Sequence, residues 1–203
     1  MTYALYVTHP QVVQDPKVPV PKWGLSELGR QRAERFANHV LVSRLTRIVS
    51  STETKALELA AILAAVCKAP VESGDKFGEN DRSSTGFVPR DRFEQLADAF
   101  FAHPDDSVEG WETSRAAQRR VVAAVEAALS GHDPAQPIAF AGHGAVGTLL
   151  KCHLGGRPIA RSEDQSRHGD PGGGNVFVFR LDDGALLTEW LPIEALPETI
   201  ADL

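Results

Sequence analysis

The sequence predicts an α/β protein, a three-layer α/β/α sandwich on a mostly parallel sheet. Three observations lead there. Short apolar runs at residues 3–7, 45–49 and 137–141 have the length and composition of buried strands. Each is followed by a stretch with helical patterning, so strands and helices alternate as in crossover-linked sheets. Each run also ends abruptly in polar residues: His9-Pro10, Ser50-Ser51 and Gly142-His143-Gly144. In a parallel sheet these ends share the carboxyl edge, where such folds bind ligands.

The first strand stops at Pro10, which cannot donate to a ladder, and leaves His9 at its tip. Residues 11–23 carry Pro16, Pro19 and Pro21, which predicts an extended, polyproline-like connector leading away from the strand, a candidate rim or lid. Trp23 reads as a packing anchor or a rim aromatic. Ser26 is a suitable N-cap with Glu27 in the first turn, and the helix it opens runs to about residue 40. Its expected core contacts are Leu28, Ala33, Phe36 and Ala37.

The second strand feeds Ser50-Ser51 into a helix over about residues 53–68, whose N-terminal N–H groups make a natural anion site. Lys55, one turn in, can point back over the strand ends. Another extended segment begins at Pro70-Val71. Residues 77–86 are polar and without period, a kind of long loop that often carries function. Residues 93–102 form a helix with Phe93, Phe100 and Phe101, and the next helix carries the stripe Val121, Val122, Val125 and Leu129. After the strand at 137–141, glycines flank His143 and permit close approach of a ligand. A helix over 145–154 closes at Gly155-Gly156. Residues 162–174 are a second polar loop, holding Asp164, Gln165, Arg167 and His168. Residues 175–180 and 186–191 read as a strand pair around Asp182-Asp183-Gly184. The tail from Pro192 is mildly apolar and packs on the surface or on a partner. His39, His103, His132 and His153 fall at helix ends or faces and read as surface residues.

The 203 residues suit one domain over 1–203, and a net charge of −6 argues against nucleic acid or an acidic membrane as partner. Positive charge for an anionic substrate must therefore be gathered in one pocket. Cys67 and Cys152 have neither zinc-ligand nor disulfide spacing and read as buried thiols in a reducing compartment. The N-terminus lacks signal-peptide features, and no apolar run is long enough to span a bilayer, so a cytoplasmic location is expected.

Two histidines, a lysine, a loop carboxylate and small donors converging on one sheet edge suit phosphoryl transfer through a phosphohistidine. One imidazole attacks phosphorus, cations and N–H groups hold the charge, and a carboxylic acid protonates the leaving oxygen. In this respect the chain resembles the histidine phosphatase superfamily, the phosphoglycerate mutase-like fold. The family's opening Arg-His-Gly is matched by Thr8-His9-Pro10. Its Leu-Thr/Ser-x-x-Gly helix start is similar to Leu25-Ser26-Glu27-Leu28-Gly29, and its Ser-Ser-x-x-x-Arg-Ala to the segment Ser50 to Ala56. Its loop glutamate is best matched by Glu79, and its closing His-Gly by His143-Gly144.

The resemblance implies His9 as nucleophile, His143 as the second, phosphate-contacting histidine, and Glu79 as proton donor with Asp81 as fallback. It implies phosphate contacts from Thr8, Ser51, Lys55 and Gly144, and no metal or cofactor. Thr8 and Lys55 stand where the family has arginines, and neither offers the planar fork that grips phosphate. Arg82, from the Glu79 loop, or Arg167 can supply a guanidinium instead. Arg167-His168-Gly169 spells the family triplet but follows no strand. The leading expectation is a phosphatase, less readily a mutase, for a small phosphorylated molecule. The alternatives are an anion-binding relative without turnover and an enzyme for a phosphoramidate or phosphohistidine protein. A homodimer is compatible with the sequence. Specificity is expected from the segments 11–23, 77–90 and 162–174.

Overall fold

The computed structural model describes residues 2–199. Six strands form one sheet in the order β3-β2-β4-β1-β5-β6. These are β1 (Tyr3–Thr8), β2 (Arg47–Ser50), β3 (Val71–Ser73), β4 (Ile138–Gly142), β5 (Asn175–Arg180) and β6 (Leu191–Pro192). The first four run parallel, and β5 and β6 are antiparallel additions on one side. Every residue of β1 and β4 is buried, as a central strand covered on both faces requires.

Alternation along each strand splits the core in two. Leu5, Val7, Ile48 and Val178 face α1 (Glu27–Ala37), α2 (Val40–Ser43) and α3 (Thr54–Cys67), through Phe36, Leu41 and Leu59. Tyr6, Val49, Phe140 and Phe177 face α4 (Arg90–Ala102), α5 (Ser114–Ser130) and α6 (Gly144–Leu154), through Phe100, Val121 and Leu149. The result is the expected three-layer sandwich. In register, Thr8 pairs with Gly142 and Ser50 with Ala141, so the carboxyl ends of β1, β4 and β2 lie side by side. The ladder continues past the strands: His9 N–H donates to the Gly142 carbonyl and Ser51 N–H to that of Ala141, each at 3.1 Å.

Several expectations are corrected. Residues 11–23 are not a polyproline arm. Val12 bridges Leu25, and Val20–Lys22 is a 3-10 turn, so the segment folds back on itself. Trp23 causes this: its ring is buried, and its indole N–H donates to the carbonyls of Asp15 and Val18 at 3.0 Å each. Leu28 is 53% exposed, because Ala33, Phe36 and Ala37 already fill the inner face of α1. The return strand after the Asp182-Asp183-Gly184 turn is broken. Leu187 and Thr188 N–H both donate to the Val178 carbonyl, a bulge that resets pairing from Phe179–Leu186 to Val176–Leu191. It places Trp190 in the core. In the tail, Ile193 and Leu196 are buried, while residues 200–203 lie outside the described residues.

Candidate active site

β1 delivers His9 and β4 delivers His143, and their rings meet edge to face with centroids 5.4 Å apart. The His9 backbone is fixed on both sides, its N–H bonded to Gly142 and its carbonyl accepting from Gly174 N–H at 3.0 Å. Gly173 and Gly174 hold positive φ values of 82° and 67°, and a Cβ on Gly173 would overlap the His9 carbonyl. Buried Arg32 braces this loop by donating to the carbonyls of both glycines and pairing with Glu194.

The His9 ring sets its own tautomer. Nδ1 lies 2.9 Å from the Pro10 carbonyl, which can only accept, so Nδ1 carries the proton. Nε2 then keeps its lone pair. Burial, aided by the charge of Lys55, pushes the His9 pKa down to about 4, so the imidazole is neutral near pH 7. His143 is fully buried and neither ring nitrogen has a hydrogen-bond partner. Its Nε2 lies 3.4 Å from Glu53 Oε1 without hydrogen-bond geometry. Burial holds it well below its ordinary pKa, against the pull of Glu53. Below it, Gly142 and Gly147 leave room for Tyr6, whose hydroxyl meets the His143 backbone N–H and carbonyl at 3.3 Å.

Glu79 sits at the N-terminus of α6. Its Oε1 accepts from Val146 and Asn80 N–H at 3.1 Å, and its Oε2 from Ala145 N–H at 3.3 Å. These donors favour the carboxylate, but burial outweighs them and, with nearby Glu53, raises the pKa. Asp81 is the opposite case. It is exposed, and the Ser83 N–H that it binds lowers its pKa, so the two loop carboxyl groups are shifted in opposite directions.

His9, Lys55, Glu79, Arg82 and Gly144 line one pocket of about 340 Å³. Arg82 stacks on Phe93, its carbon 4.9 Å from the ring centre, and its charge acts on His9, His143 and Glu79. Thr8 and Ser51, expected at the phosphate, have no exposed surface. The Ser51 hydroxyl accepts from Glu53 N–H at 3.1 Å and is spent on the turn into α3. The Thr8 hydroxyl accepts from Asn175 N–H at 2.9 Å and donates to Gln165 Oε1. Arg167 stands apart from the pocket, in α7 (Gln165–His168), and lines an outer cleft of about 620 Å³. That cleft is walled by the three segments expected to set specificity.

Two further residues at the site carry no role in the sequence reading. Glu53 stands out there only as part of a helix start. Its carboxylate pairs with Lys55 Nζ and accepts from Glu79 N–H at 3.0 Å. Burial pushes its pKa up, but the paired Lys55 helps to bring it down to about 2. The lysine therefore enters the pocket with its charge already answered, and its Nζ also donates to the Val20 carbonyl. The other is Gln165, whose Oε1 also accepts from Asn175 Nδ2 at 2.8 Å. A Cβ at Gly144 would overlap Gln165 Nε2, so that glycine is what lets the amide reach the pocket wall.

This sheet, with histidines at the carboxyl ends of two adjacent parallel strands, is the phosphoglycerate mutase-like architecture. A family model described as "Histidine phosphatase superfamily (branch 1)" matches residues 17–188, and the chain belongs to that superfamily. His9 precedes the matched segment. Similar solved structures include mycobacterial glucosyl-3-phosphoglycerate phosphatase, at TM-score 0.71 and 19% identity, with 93% of this chain and 95% of that chain covered. YhfR of Bacillus stearothermophilus gives TM-score 0.73 and 20% identity over 92% and 94%. A protein of Thermus thermophilus, TTHB049, gives 0.64 and 15% over 94% and 99%. No curated protein matches the sequence significantly. Among the described residues, no helix is long and apolar enough to cross a membrane.

Proposed function

We propose that the chain is a phosphatase that works through a phosphohistidine on His9. The observation that carries this reading is the His9 ring itself. It is neutral, lines the pocket, and has Nδ1–H held by the Pro10 carbonyl so that the Nε2 lone pair is free. In the first step Nε2 bonds to phosphorus and the bond from phosphorus to the ester oxygen breaks. The Glu79 carboxylic acid gives its proton to that oxygen, releasing an alcohol. In the second step the Glu79 carboxylate takes a proton from water, the water oxygen bonds to phosphorus, and His9 is restored as phosphate leaves.

The donors for the phosphoryl oxygens differ from those the family pattern suggests. Arg82 takes the guanidinium role, and Gln165 Nε2 supplies an N–H from the lining of the same pocket. His143 meets the charge that develops during transfer, its unpartnered nitrogens being the reserve for that contact. A neighbour of the same fold, the mycobacterial phosphatase, is also known as a complex with inorganic phosphate. Turnover of 4-nitrophenyl phosphate that disappears in His9→Ala tests the reading; equal rates in both proteins contradict it.

A second reading, a phosphate binder without turnover, draws on the Lys55–Glu53 pair, which withholds one charge from the pocket. It predicts phosphate binding by titration calorimetry with no hydrolysis of any ester.

A further inference from the structure

The outer cleft has a chemical character of its own. Trp23, Phe87 and Phe93 give it aromatic walls, with Phe87 40% exposed and edge-on to Trp23 at 5.6 Å. Arg82, Arg90 and Arg167 give it positive charge. Arg32, Arg120, Arg157 and Arg161 are all held by carboxylates. Among the described residues, no ion pair engages Arg82, Arg90 or Arg167. The acidic wall residue, Glu94, is already bound to Arg161. In a chain of net charge −6, a cleft lined by unanswered guanidinium groups is a local anion site.

The cleft is continuous with the pocket. Arg82, Phe93 and Ser166 border both, so an ester whose phosphoryl group lies beside His9 has room to extend its leaving group into the cleft. The volume of about 620 Å³ suits a small organic body. We propose that the substrate is a phosphate monoester whose leaving group is aromatic and bears a second anionic group. The ring packs among Phe87, Phe93 and Trp23, and the second anion meets Arg90 and Arg167. Guanidinium forks suit either carboxylate or phosphate there. This assignment rests on the phosphatase reading and narrows it to one class of ester.

The test compares phenyl phosphate with 4-carboxyphenyl phosphate, which share the reacting end and differ in the remote charge. The expected result is a kcat/KM about tenfold higher for the carboxylated ester, as one charge-assisted contact provides. That ratio falls to near one in Arg90→Ala/Arg167→Ala. Phe87→Ala lowers the preference for phenyl phosphate over glycerol 3-phosphate. A wild-type ratio near one, or a ratio that the double variant leaves unchanged, overturns the proposal while the phosphatase reading stands. If neither ester, nor 4-nitrophenyl phosphate, nor glycerol 3-phosphate is hydrolysed, the phosphatase reading fails, and calorimetry with phenylphosphonate and 4-carboxyphenylphosphonate decides the cleft separately. Tighter binding of the carboxylated phosphonate, lost in the double variant, upholds the anion site; equal binding overturns it.

Discussion

The Thr8 hydroxyl donates to Gln165 Oε1 over 2.8 Å, and this contact orients an amide at the pocket wall. The assignment follows from the partners. Asp170 N–H donates to Asn175 Oδ1 at 2.6 Å, so Asn175 Nδ2 is a donor and Gln165 must present oxygen to it. Asn175 N–H donates to the Thr8 oxygen, so the Thr8 proton is free for the same acceptor. Gln165 Nε2 is thereby turned away from both, toward Gly144. Beside His9, this chain has a threonine that aims a glutamine.

Gln165→Glu keeps an oxygen for Thr8 and Asn175 and replaces the pocket-side donor with an acceptor. We expect little change in melting temperature and a loss of about 10²-fold in kcat/KM, the usual effect of removing one transition-state donor. Gln165→Leu removes the acceptor shared by the two groups, leaving Thr8 the Asn175 carbonyl at 3.4 Å and Asn175 Nδ2 the Asp170 carbonyl, and should also lower stability by about 1 kcal/mol. Kinetics with thermal unfolding separate the two effects, and full activity in Gln165→Glu would remove the residue from the site.

Glu53→Gln releases Lys55 while keeping an acceptor for Glu79 N–H. We expect tighter inhibition by inorganic phosphate, by several-fold. Glu53 also raises the Glu79 pKa, so the substitution should lower it. The alkaline limb of the rate profile then moves to lower pH. An unmoved limb would mean that another group is the proton donor.

The pH profile follows from the same two groups. The proposed first step needs His9 neutral and Glu79 protonated. Activity should rise through pH 4, where His9 loses its proton, and fall above the ordinary carboxylate range, where Glu79 ionises. Glu79→Gln should abolish the falling limb. It should slow esters with basic leaving groups more than 4-nitrophenyl phosphate, whose leaving group needs no proton.

Stability carries a matching signature. The folded His9 has its pKa depressed from 6.5 to about 4, and His143 is also held low. Between these values the unfolded chain binds more protons than the folded one, so stability rises with pH there. Both contributions are fully present above pH 6.5 and diminish as pH falls below it, that of His9 being lost through pH 4. Denaturant midpoints measured across that window should drop less steeply for His143→Asn than for the parent. Equal slopes would contradict the burial of a neutral His143.

Three of the four parallel strands, β1, β2 and β4, were legible because each is a short apolar run that ends in a polar cluster, and strand register does the rest; β3, a short exposed Val-Glu-Ser, carries no such pattern. Val7 beside Ala141 brings His9 and His143 together with no further information. The linker fold was not legible. Its prolines argue for extension, and only the burial of Trp23, a tertiary event, overrides them. Leu28 misled because helical period alone does not say which face the sheet will cover. Gln165 lies far from Thr8 in sequence, so their hydrogen bond leaves no local pattern. Glu53 had a faint signal, an acid two residues before the pocket lysine.

The central claim is that His9 carries the phosphoryl group. The most direct measurement is brief incubation with a ³²P-labelled phosphodonor, followed by rapid quench and mapping of the labelled peptide. Acid-labile, alkali-stable label is expected on the peptide holding His9, absent in His9→Ala and accumulating in wild type when the second step is slowed. Hydrolysis that proceeds with no label on His9, or label that persists in His9→Ala, would contradict it.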